Sequence, residues 1–304
     1  MEKLLDEISH VNGNRKLKLY FFDEIDSTNN FAKKLIEEGA TDEAVIIART
    51  QTAGRGRQGK SFYSPSDSGI YMTVVLNPNS KISTVVTLTA KIACIVAKSI
   101  YEVYGIQVGI KWVNDLYLNN RKVCGILCEA DNDYDNMLLK HVYVGIGINM
   151  TTIDFPEDIK NSAGSLMMNS AESEGSYRKD FEKTFRENHE NNYRENYENN
   201  YNESIKNNSG ENSEENDYNS YRFRNLVECI ISNVYGTYMN SFENFIEYYR
   251  KHSIVVGEKI YFLEDNIKVN ATVRDIDPGG GLMVICENGE KKTLRSGEIT
   301  VRLI

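Results

Sequence analysis

The feature that most constrains the fold is an apolar run that leads directly into a loop rich in glycine and positive charge. Residues 44–48 (AVIIA) are typical of a buried strand. Residues 54–60 (GRGRQGK) then bring together three glycines and three cations. Glycine lets backbone N–H groups approach a ligand, and arginine suits phosphate and carboxylate oxygens. The pattern favours a loop that closes over an anionic ligand, although a solvated turn or a nucleic-acid contact would give the same pattern.

Composition argues against several classes of protein. The chain has 304 residues, of which 40% are hydrophobic, and a formal net charge of −9. A general nucleic-acid binder is usually basic, so that role is not expected. No run of about 18 apolar residues occurs, and the acidic start 1–7 does not resemble a secretory signal. With five scattered cysteines, the sequence predicts a cytoplasmic protein with reduced thiols and no membrane segment.

The order of the patterns predicts an α+β fold with two domains. Strand patterns joined by short turns indicate a mixed, mainly antiparallel sheet with helices on one side. Residues of about 170–220 are rich in Asn, Glu, Tyr and Ser, and we expect them to form a disordered insertion or, alternatively, a partner-binding arm. A helix is predicted over 223–249. Short strands after it predict a small barrel at 253–304, which leaves 1–252 as the first and larger domain.

Two lysines flank a predicted hairpin in the middle of the chain. Lys111 precedes its first strand and Lys122 begins its return strand, after a tight turn at 119–120. Asn114 and Asp115 lie at the start of the hairpin, where Asp115 could hold Mg²⁺ or accept a proton. An ordinary hairpin with charged tips would look the same.

Two further motifs are weaker. Residues 145–149 (GIGIN) place small residues in an apolar strand, which permits either a bound ligand or tight internal packing. Arg295, within 294–298 (LRSGE), could reach across a domain interface.

Taken together and in this order, the motifs resemble those of biotin protein ligases. The resemblance covers roughly residues 18–168 and 222–304, with Val113 in place of a usual proline. It is carried by 26–29 (DSTN), Gln51 with 54–59 (GRGRQG), 111–116 (KWVNDL), 122–127 (KVCGIL), 145–149 (GIGIN) and 293–298 (TLRSGE).

The resemblance implies a fold like that of class II synthetases and biotin/lipoyl ligases, with an SH3-like barrel at the C-terminal end. It also implies an amide-forming ligase. Such an enzyme uses ATP and Mg²⁺ to convert biotin to biotinyl-5′-AMP and transfers the biotin to a lysine of a biotin carboxyl carrier domain. Only about sixteen residues precede the first core strand, so binding of operator DNA is not expected. A homodimer is left open.

The resemblance also assigns roles to individual residues. The catalytic set is Lys122, Arg57, Lys111 and Asp115, with Asp115 also assigned to Mg²⁺. The biotin set is Ser27, Thr28, Asn29, Gln51, Gly54, Arg55, Gly56, Arg57, Lys122, Gly125 and Gly145. The ATP and adenylate set is Arg55, Arg57, Phe62, Lys111, Trp112, Asn114, Asn149 and Arg295. The loop is expected to order on ligand binding and to shield the adenylate from water.

Two rival functions are weighed against this one. A lipoate ligase would use similar acyl-adenylate chemistry, but the glycine/arginine loop and the terminal barrel favour biotin. A non-catalytic biotin- or RNA-binding module would need no ATP turnover. The presence of both Lys111 and Lys122, together with the acidic net charge, argues against it.

Overall fold

The computed structural model describes residues 3–11, 15–39, 43–78, 80–81, 85–133, 138–167, 211–239, 244–264, 267–295 and 302–303. The predicted insertion of about 170–220 falls largely outside the described residues. Its last residues, 211–220, belong to a helix, so the prediction of disorder is wrong for them.

A large mixed sheet forms the first part of the molecule. Its described strands are β1 (Lys3–Val11), β2 (Arg15–Ile25), β3 (Ala44–Gln51), β4 (Gly69–Leu76), β5 (Ser80–Lys81), β6 (Gly109–Lys111), β7 (Asp115–Leu118), β8 (Arg121–Asp133) and β9 (Leu138–Asn149). The order across the sheet is β1-β2-β3-β4-β9-β8-β7-β6, with β5 paired to β9. Only β2 and β3 pair in parallel among these described strands. The predicted class, α+β with a mixed and mainly antiparallel sheet, is confirmed.

Four helices pack on this sheet in the described part of the chain, and they lie on both of its faces. They are α1 (Thr28–Glu37), α2 (Val85–Tyr104), α3 (Glu211–Met239) and α4 (Phe245–His252). Helices α2, α3 and α4 share one core with alternate strand residues such as Leu19 and Val45. Helix α1 instead packs Ala32 and Leu35 against the other face, where Tyr20 and Ile46 lie.

The expectation of helices on one side is therefore wrong for α1. The physical reason is the period of two along the strands, which gives β2 and β3 an apolar side chain on each face. The second apolar face has to be covered, and the narrow apolar stripe of α1 covers it.

A second, smaller sheet follows at the C-terminal end. It consists of β10 (Lys259–Glu264), β11 (Ile267–Ile276), β12 (Leu282–Cys286), β13 (Lys291–Leu294) and β14 (Arg302–Leu303). All its pairs are antiparallel, in the order β13-β12-β11-β10-β14, and this arrangement fits an SH3-like domain. Among the described residues, no helix is long and apolar enough to cross a membrane.

Candidate active site

The strand register brings the separate sequence motifs into one row across the large sheet. Lys111 of β6 pairs with Asp115 of β7, and Asp115 pairs with Gly125 of β8. Gly125 in turn pairs with Gly147 of β9, which lies opposite Tyr71 of β4. Three of the sequence motifs, 111–116, 122–127 and 145–149, therefore meet at one place on the sheet.

A cavity of about 410 Å³ lies on this row and extends to the start of α1 and to the glycine/arginine loop. Most of the predicted site residues line it: Ser27, Thr28, Asn29, Gln51, Arg55, Gly56, Arg57, Phe62, Lys111, Trp112, Asn114, Asp115, Lys122, Gly125, Gly145 and Asn149. Gly54 and Arg295 are the two predicted residues that are absent from the lining.

The glycine/arginine loop folds as a tight hairpin beside the cavity. Gly56 N–H donates to the Lys60 carbonyl at 2.6 Å, and Arg55 bridges Ser61 across the hairpin. A 3₁₀ turn spans Arg57–Gly59, with Gln58 in the left-handed region at φ 55°. The two arginines of this hairpin have different partners.

Arg55 reaches away from the row of paired residues. Its Nη1 donates to Asn30 Oδ1 and its Nη2 to Glu129 Oε1, each at 2.9 Å. Arg57 points into the cavity, where Nη1 donates to Asn114 Oδ1 at 3.0 Å. Within the described part of the chain, Arg57 Nη2 is buried and has no hydrogen-bond partner.

Gly54 has a packing role that sequence reasoning did not identify. A Cβ atom at this position would lie 2.4 Å from the Phe62 carbonyl oxygen and 2.7 Å from Ser64 Oγ. The Phe62 N–H also donates to the Gly54 carbonyl at 2.8 Å. Gly54 is needed because the returning strand of the loop passes directly against it, so its assignment to the ligand is not supported.

One side of the cavity is lined by Thr28, Asn29 and Gln51, with Ser64 and Thr73 bonded behind them, and we call these five residues the Thr28 wall. Gln51 Oε1 accepts from Thr28 N at 2.9 Å and from Thr28 Oγ1 at 3.1 Å. Gln51 Nε2 donates to Ser64 Oγ at 2.9 Å. Thr73 Oγ1 lies 2.6 Å from Asn29 Oδ1 and 2.8 Å from Thr28 Oγ1. The polar groups of this wall are bonded to one another.

The opposite side, which we call the Arg57 wall, consists of Arg57, Asn114, Asp115, Lys122 and Asn149. Asn114 is held in place because its Nδ2 donates to the Ile126 carbonyl at 2.8 Å. Asn149 Nδ2 donates to the Gly164 carbonyl at 3.0 Å, but its Oδ1 is buried without a partner among the described residues. Unlike the Thr28 wall, this wall contains buried polar atoms that have no hydrogen-bond partner among the described residues.

The charges of the Arg57 wall lie close together. Lys122 Nζ is 2.7 Å from Asp115 Oδ1, an ion pair whose angles do not satisfy a hydrogen bond. Burial lowers the pKa of Arg57 from its ordinary value, while the Asp115 carboxylate opposes that shift. Lys111 Nζ lies 5.3 Å from the centre of the Tyr117 ring. In the Arg57 wall the two cations Arg57 and Lys122 outnumber the one carboxylate of Asp115, so this wall has an excess of positive charge.

Side chains fill the spaces above the sheet glycines. A Cβ at Gly145 would lie 2.5 Å from Asn29 Oδ1, and one at Gly147 would lie 2.5 Å from Phe62 Cε1. A Cβ at Gly125 would lie 3.1 Å from the Lys122 side chain. The internal-packing alternative therefore holds for these glycines, which admit neighbouring side chains that line the cavity. Their contact with a bound ligand stays a prediction.

Trp112 connects the cavity to the second sheet. Its Nε1 donates to the Gly280 carbonyl at 2.8 Å. Arg295 pairs with Asp277 of the same glycine-rich turn and lies outside the cavity lining. Arg295 therefore supports the turn that contacts Trp112, and its predicted place beside the nucleotide is not supported.

Several lining residues were missed by sequence reasoning. The segment after β9 contributes Phe155, Asp158, Ile159, Ser162 and Ala163, and the loop contributes Tyr63. The segment follows no helical or strand period, so only its position directly after the GIGIN motif could have indicated it. A parallel bridge between Lys122 and Ala163 holds it in place.

The chain is similar to known ligases over part of its length. Residues 21–149 match the model of the Biotin/lipoate A/B protein ligase family. The chain is 35% identical over 154 residues to the bifunctional ligase/repressor BirA of Bacillus spizizenii, covering 51% of this chain and 47% of that protein. It is 36% identical over 131 residues to the biotin–acetyl-CoA-carboxylase ligase of Paracoccus denitrificans, covering 41% and 51% respectively. The chain thus spans about half the length of the curated relatives it matches.

The likeness in fold extends further along the chain. The biotin protein ligase of Aquifex aeolicus, solved in complex with biotin and ATP, superposes with a TM-score of 0.64 at 23% identity, covering 94% of this chain and 99% of that one. The described architecture is therefore the fold of the biotin protein ligases. The match to the model of the Biotin/lipoate A/B protein ligase family is limited to residues 21–149.

Proposed function

We propose that this protein activates biotin with ATP to biotinyl-5′-AMP and then transfers the biotin to a lysine of a biotin carboxyl carrier domain. The observation that carries the proposal is Arg57 Nη2, a buried guanidinium nitrogen with no partner among the described residues. A buried donor of a cationic group that is left without a partner is costly, and an anionic ligand in the cavity would pair with it. The names of the relatives support biotin and ATP as the substrates.

The first step joins two anions, so the arrangement of positive charge decides its rate. A biotin carboxylate oxygen attacks the α-phosphorus of ATP, a C–O–P linkage forms, and pyrophosphate leaves. Arg57 and Lys122, with Lys111 behind them, would stabilise the charge that develops on the phosphoryl oxygens. Lys122 is the residue that we assign to the biotin carboxylate. Because it already pairs with Asp115, it is held at a fixed place before the substrates bind.

Mg²⁺ would enter as part of the nucleotide substrate. No cluster of three or more His, Cys, Asp or Glu suited to a metal occurs in the parts of the chain that the structure describes. Asp115, the predicted ligand, is instead ion-paired with Lys122. Magnesium commonly binds through substrate phosphates and water with one or two carboxylates, so the predicted assignment to Asp115 gains no support from the described geometry.

The Thr28 wall would hold the neutral part of biotin. Thr28 and Asn29 are occupied by bonds within the wall, so the positions that remain for a polar ring are Ser27 and the second N–H of Gln51. Ser27 is suited to this because it precedes α1 as the N-cap residue, yet its side chain makes no capping bond and lines the cavity. Phe62 and Trp112 would pack on the ligand's apolar surfaces.

In the second step a carrier lysine attacks the mixed anhydride. Its amine nitrogen forms the amide bond, AMP leaves with the bridging oxygen, and the amine loses a proton. Asp115 is the carboxylate that we assign as the base, because it lies in the row of paired residues beside Lys122. Asp115→Asn should slow transfer from preformed biotinyl-5′-AMP. Full transfer by this variant would rule out the assignment.

A pyrophosphate-release assay tests the function directly. The full chain is incubated with ATP and Mg²⁺, and with biotin, lipoate or neither. Release that depends on biotin supports the proposal. Release that depends on lipoate would point to the other branch of the matched family, and release with neither acid added would contradict both.

A further inference from the structure

A carboxylate outside the proposed reacting groups connects three parts of the site. Glu129 Oε1 accepts from Lys33 Nζ and from Arg55 Nη2, each at 2.9 Å. Glu129 Oε2 accepts from Asn29 Nδ2 at 2.9 Å. Lys33 and Asn29 belong to α1, Arg55 belongs to the glycine/arginine loop, and Glu129 lies on β8. One side chain therefore joins the helix, the loop and the sheet.

The ion pairs of Glu129 with Lys33 and Arg55 lie where water weakens them only in part. The Glu129 side chain is 18% exposed, so its ion pairs are only partly screened by water. Burial alone would raise the pKa of Glu129, but the hydrogen bonds from Asn29 and Lys33, together with the charges of Lys33 and Arg55, hold that pKa below its ordinary value. The carboxylate is thus ionised near neutral pH, which makes each of its bonds charge-assisted.

The hairpin couples the two arginines of the loop. Gly56 alone separates Arg55 from Arg57, and its N–H is bonded across the hairpin to the Lys60 carbonyl at 2.6 Å. A bridge from Arg55 to Ser61 closes the same short ring of backbone. The position of Arg55 on Glu129 therefore restricts the position of Arg57 in the cavity.

We propose that Glu129 is a positioning residue that anchors the glycine/arginine loop through Arg55 and so keeps Arg57 inside the cavity. The anchoring does not depend on the proposed function. Its consequence does, because an anchored loop would retain biotinyl-5′-AMP in the cavity until the carrier lysine arrives. A rival explanation is that Glu129 serves only to pair with Lys33 and fasten α1 to the sheet.

Limited proteolysis with trypsin tests the anchor without any substrate. Trypsin cleaves the peptide bond that follows an arginine such as Arg57. The folded hairpin should protect this peptide bond as long as Arg55 stays bonded to Glu129. Glu129→Gln should raise the rate of cleavage after Arg57 about tenfold, since it removes a charge-assisted bond to the loop. Arg55→Gln removes the same bond from an exposed loop position, so it should have the same effect even if Glu129→Gln folds poorly.

The double variant and two controls decide between the explanations. Glu129→Gln with Arg55→Gln should be cleaved no faster than either single variant, because both remove one interaction. Lys33→Met breaks the ion pair of the helix with Glu129 and a contact with the Tyr143 ring, but it leaves Arg55 in place. Glu38→Gln breaks only an exposed pair with Lys34, so both variants should keep the protection of the original chain.

Two results would overturn the proposal. One is unchanged cleavage after Arg57 in both loop-anchor variants. The other is cleavage in Lys33→Met as fast as in Glu129→Gln, which would show that Glu129 only fastens the helix. In a separate assay with biotin and ATP, Glu129→Gln should label the lysines of an unrelated protein more than the original chain does. If biotin is never activated, that assay fails while the proteolysis result stands.

Discussion

The two walls of the cavity differ in how their polar groups are satisfied. On the Thr28 wall, Thr28, Gln51 and Ser64 are bonded to one another. On the Arg57 wall, Arg57 Nη2 and Asn149 Oδ1 are buried without partners among the described residues. Apart from the second N–H of Gln51, the polar groups of the first wall are bonded before a ligand arrives, whereas the second wall has unfilled bonding capacity. Substitutions in the first wall should therefore mainly reduce stability, and those in the second should mainly reduce activity.

The largest effect is expected for Arg57→Met. Loss of one preorganised charge contact typically costs about 10²-fold in rate, so biotin-dependent pyrophosphate release should fall by about that factor. The free energy of unfolding should fall only a little, because the variant removes a buried nitrogen that has no partner and loses one hydrogen bond, from Arg57 Nη1 to Asn114. Arg274→Met, an exposed position on β11, is the matched control and should change neither quantity. A large loss of stability in Arg57→Met would break the comparison.

Gln51→Leu, unlike Arg57→Met, should clearly lower the free energy of unfolding. It removes the acceptor of the Thr28 N–H and the donor to Ser64, and leaving buried groups unpaired costs about 2 kcal/mol. Denaturant titration measures this loss. Gln107→Leu changes an exposed glutamine and should stay within about 0.5 kcal/mol. Equal stability of the two variants would contradict the account of the Thr28 wall.

Gly145→Ala should lower the free energy of unfolding by less than Gln51→Leu does, and it tests the packing of the same wall. The added Cβ would lie 2.5 Å from Asn29 Oδ1, so Asn29 has to move away from Thr73 or from Glu129. Overpacking of this kind costs about 1.5 kcal/mol. The measurement is the free energy of unfolding, and an unchanged value would mean that Asn29 has more room than the structure shows.

The smallest effect concerns pH. The pKa of Glu129 is held below its ordinary value, so the carboxylate's contribution to stability is fully present above the ordinary glutamate pKa of about 4.3. That contribution is lost as the pH falls through the lower pKa of the folded state. The difference in unfolding free energy between the original chain and Glu129→Gln should therefore shrink on acidification. A difference that grows instead would reverse the assigned sign.

Local pattern explains why much of the fold was predictable. The run of short C-terminal strands was predicted, since short alternating runs there are separated by glycine-rich turns. The turn at 119–120 was predicted from two asparagines, and both adopt positive φ, at 49° and 61°. Features of this kind depend on neighbours in the sequence, so they can be read from the sequence directly.

The remaining features depend on contacts between distant residues. The pairing of Arg55 with Glu129 spans 74 positions, and no local pattern signals it. The packing role of Gly54 depends on the path of the returning strand at Phe62. The choice of sheet face by α1 depends on which face the other helices leave uncovered. Sequence motifs thus indicated most of the cavity lining, but not which of its cations are already paired.

The most direct test of the difference between the two walls is a crystal structure of the full chain with a non-hydrolysable analogue of biotinyl-5′-AMP. The account predicts that Arg57 Nη2 and Asn149 Oδ1 each gain a hydrogen bond to the analogue, while the bonds from Gln51 to Thr28 and Ser64 persist. An analogue bound in the cavity with both of those atoms still unpaired, or bound elsewhere on the molecule, would contradict it.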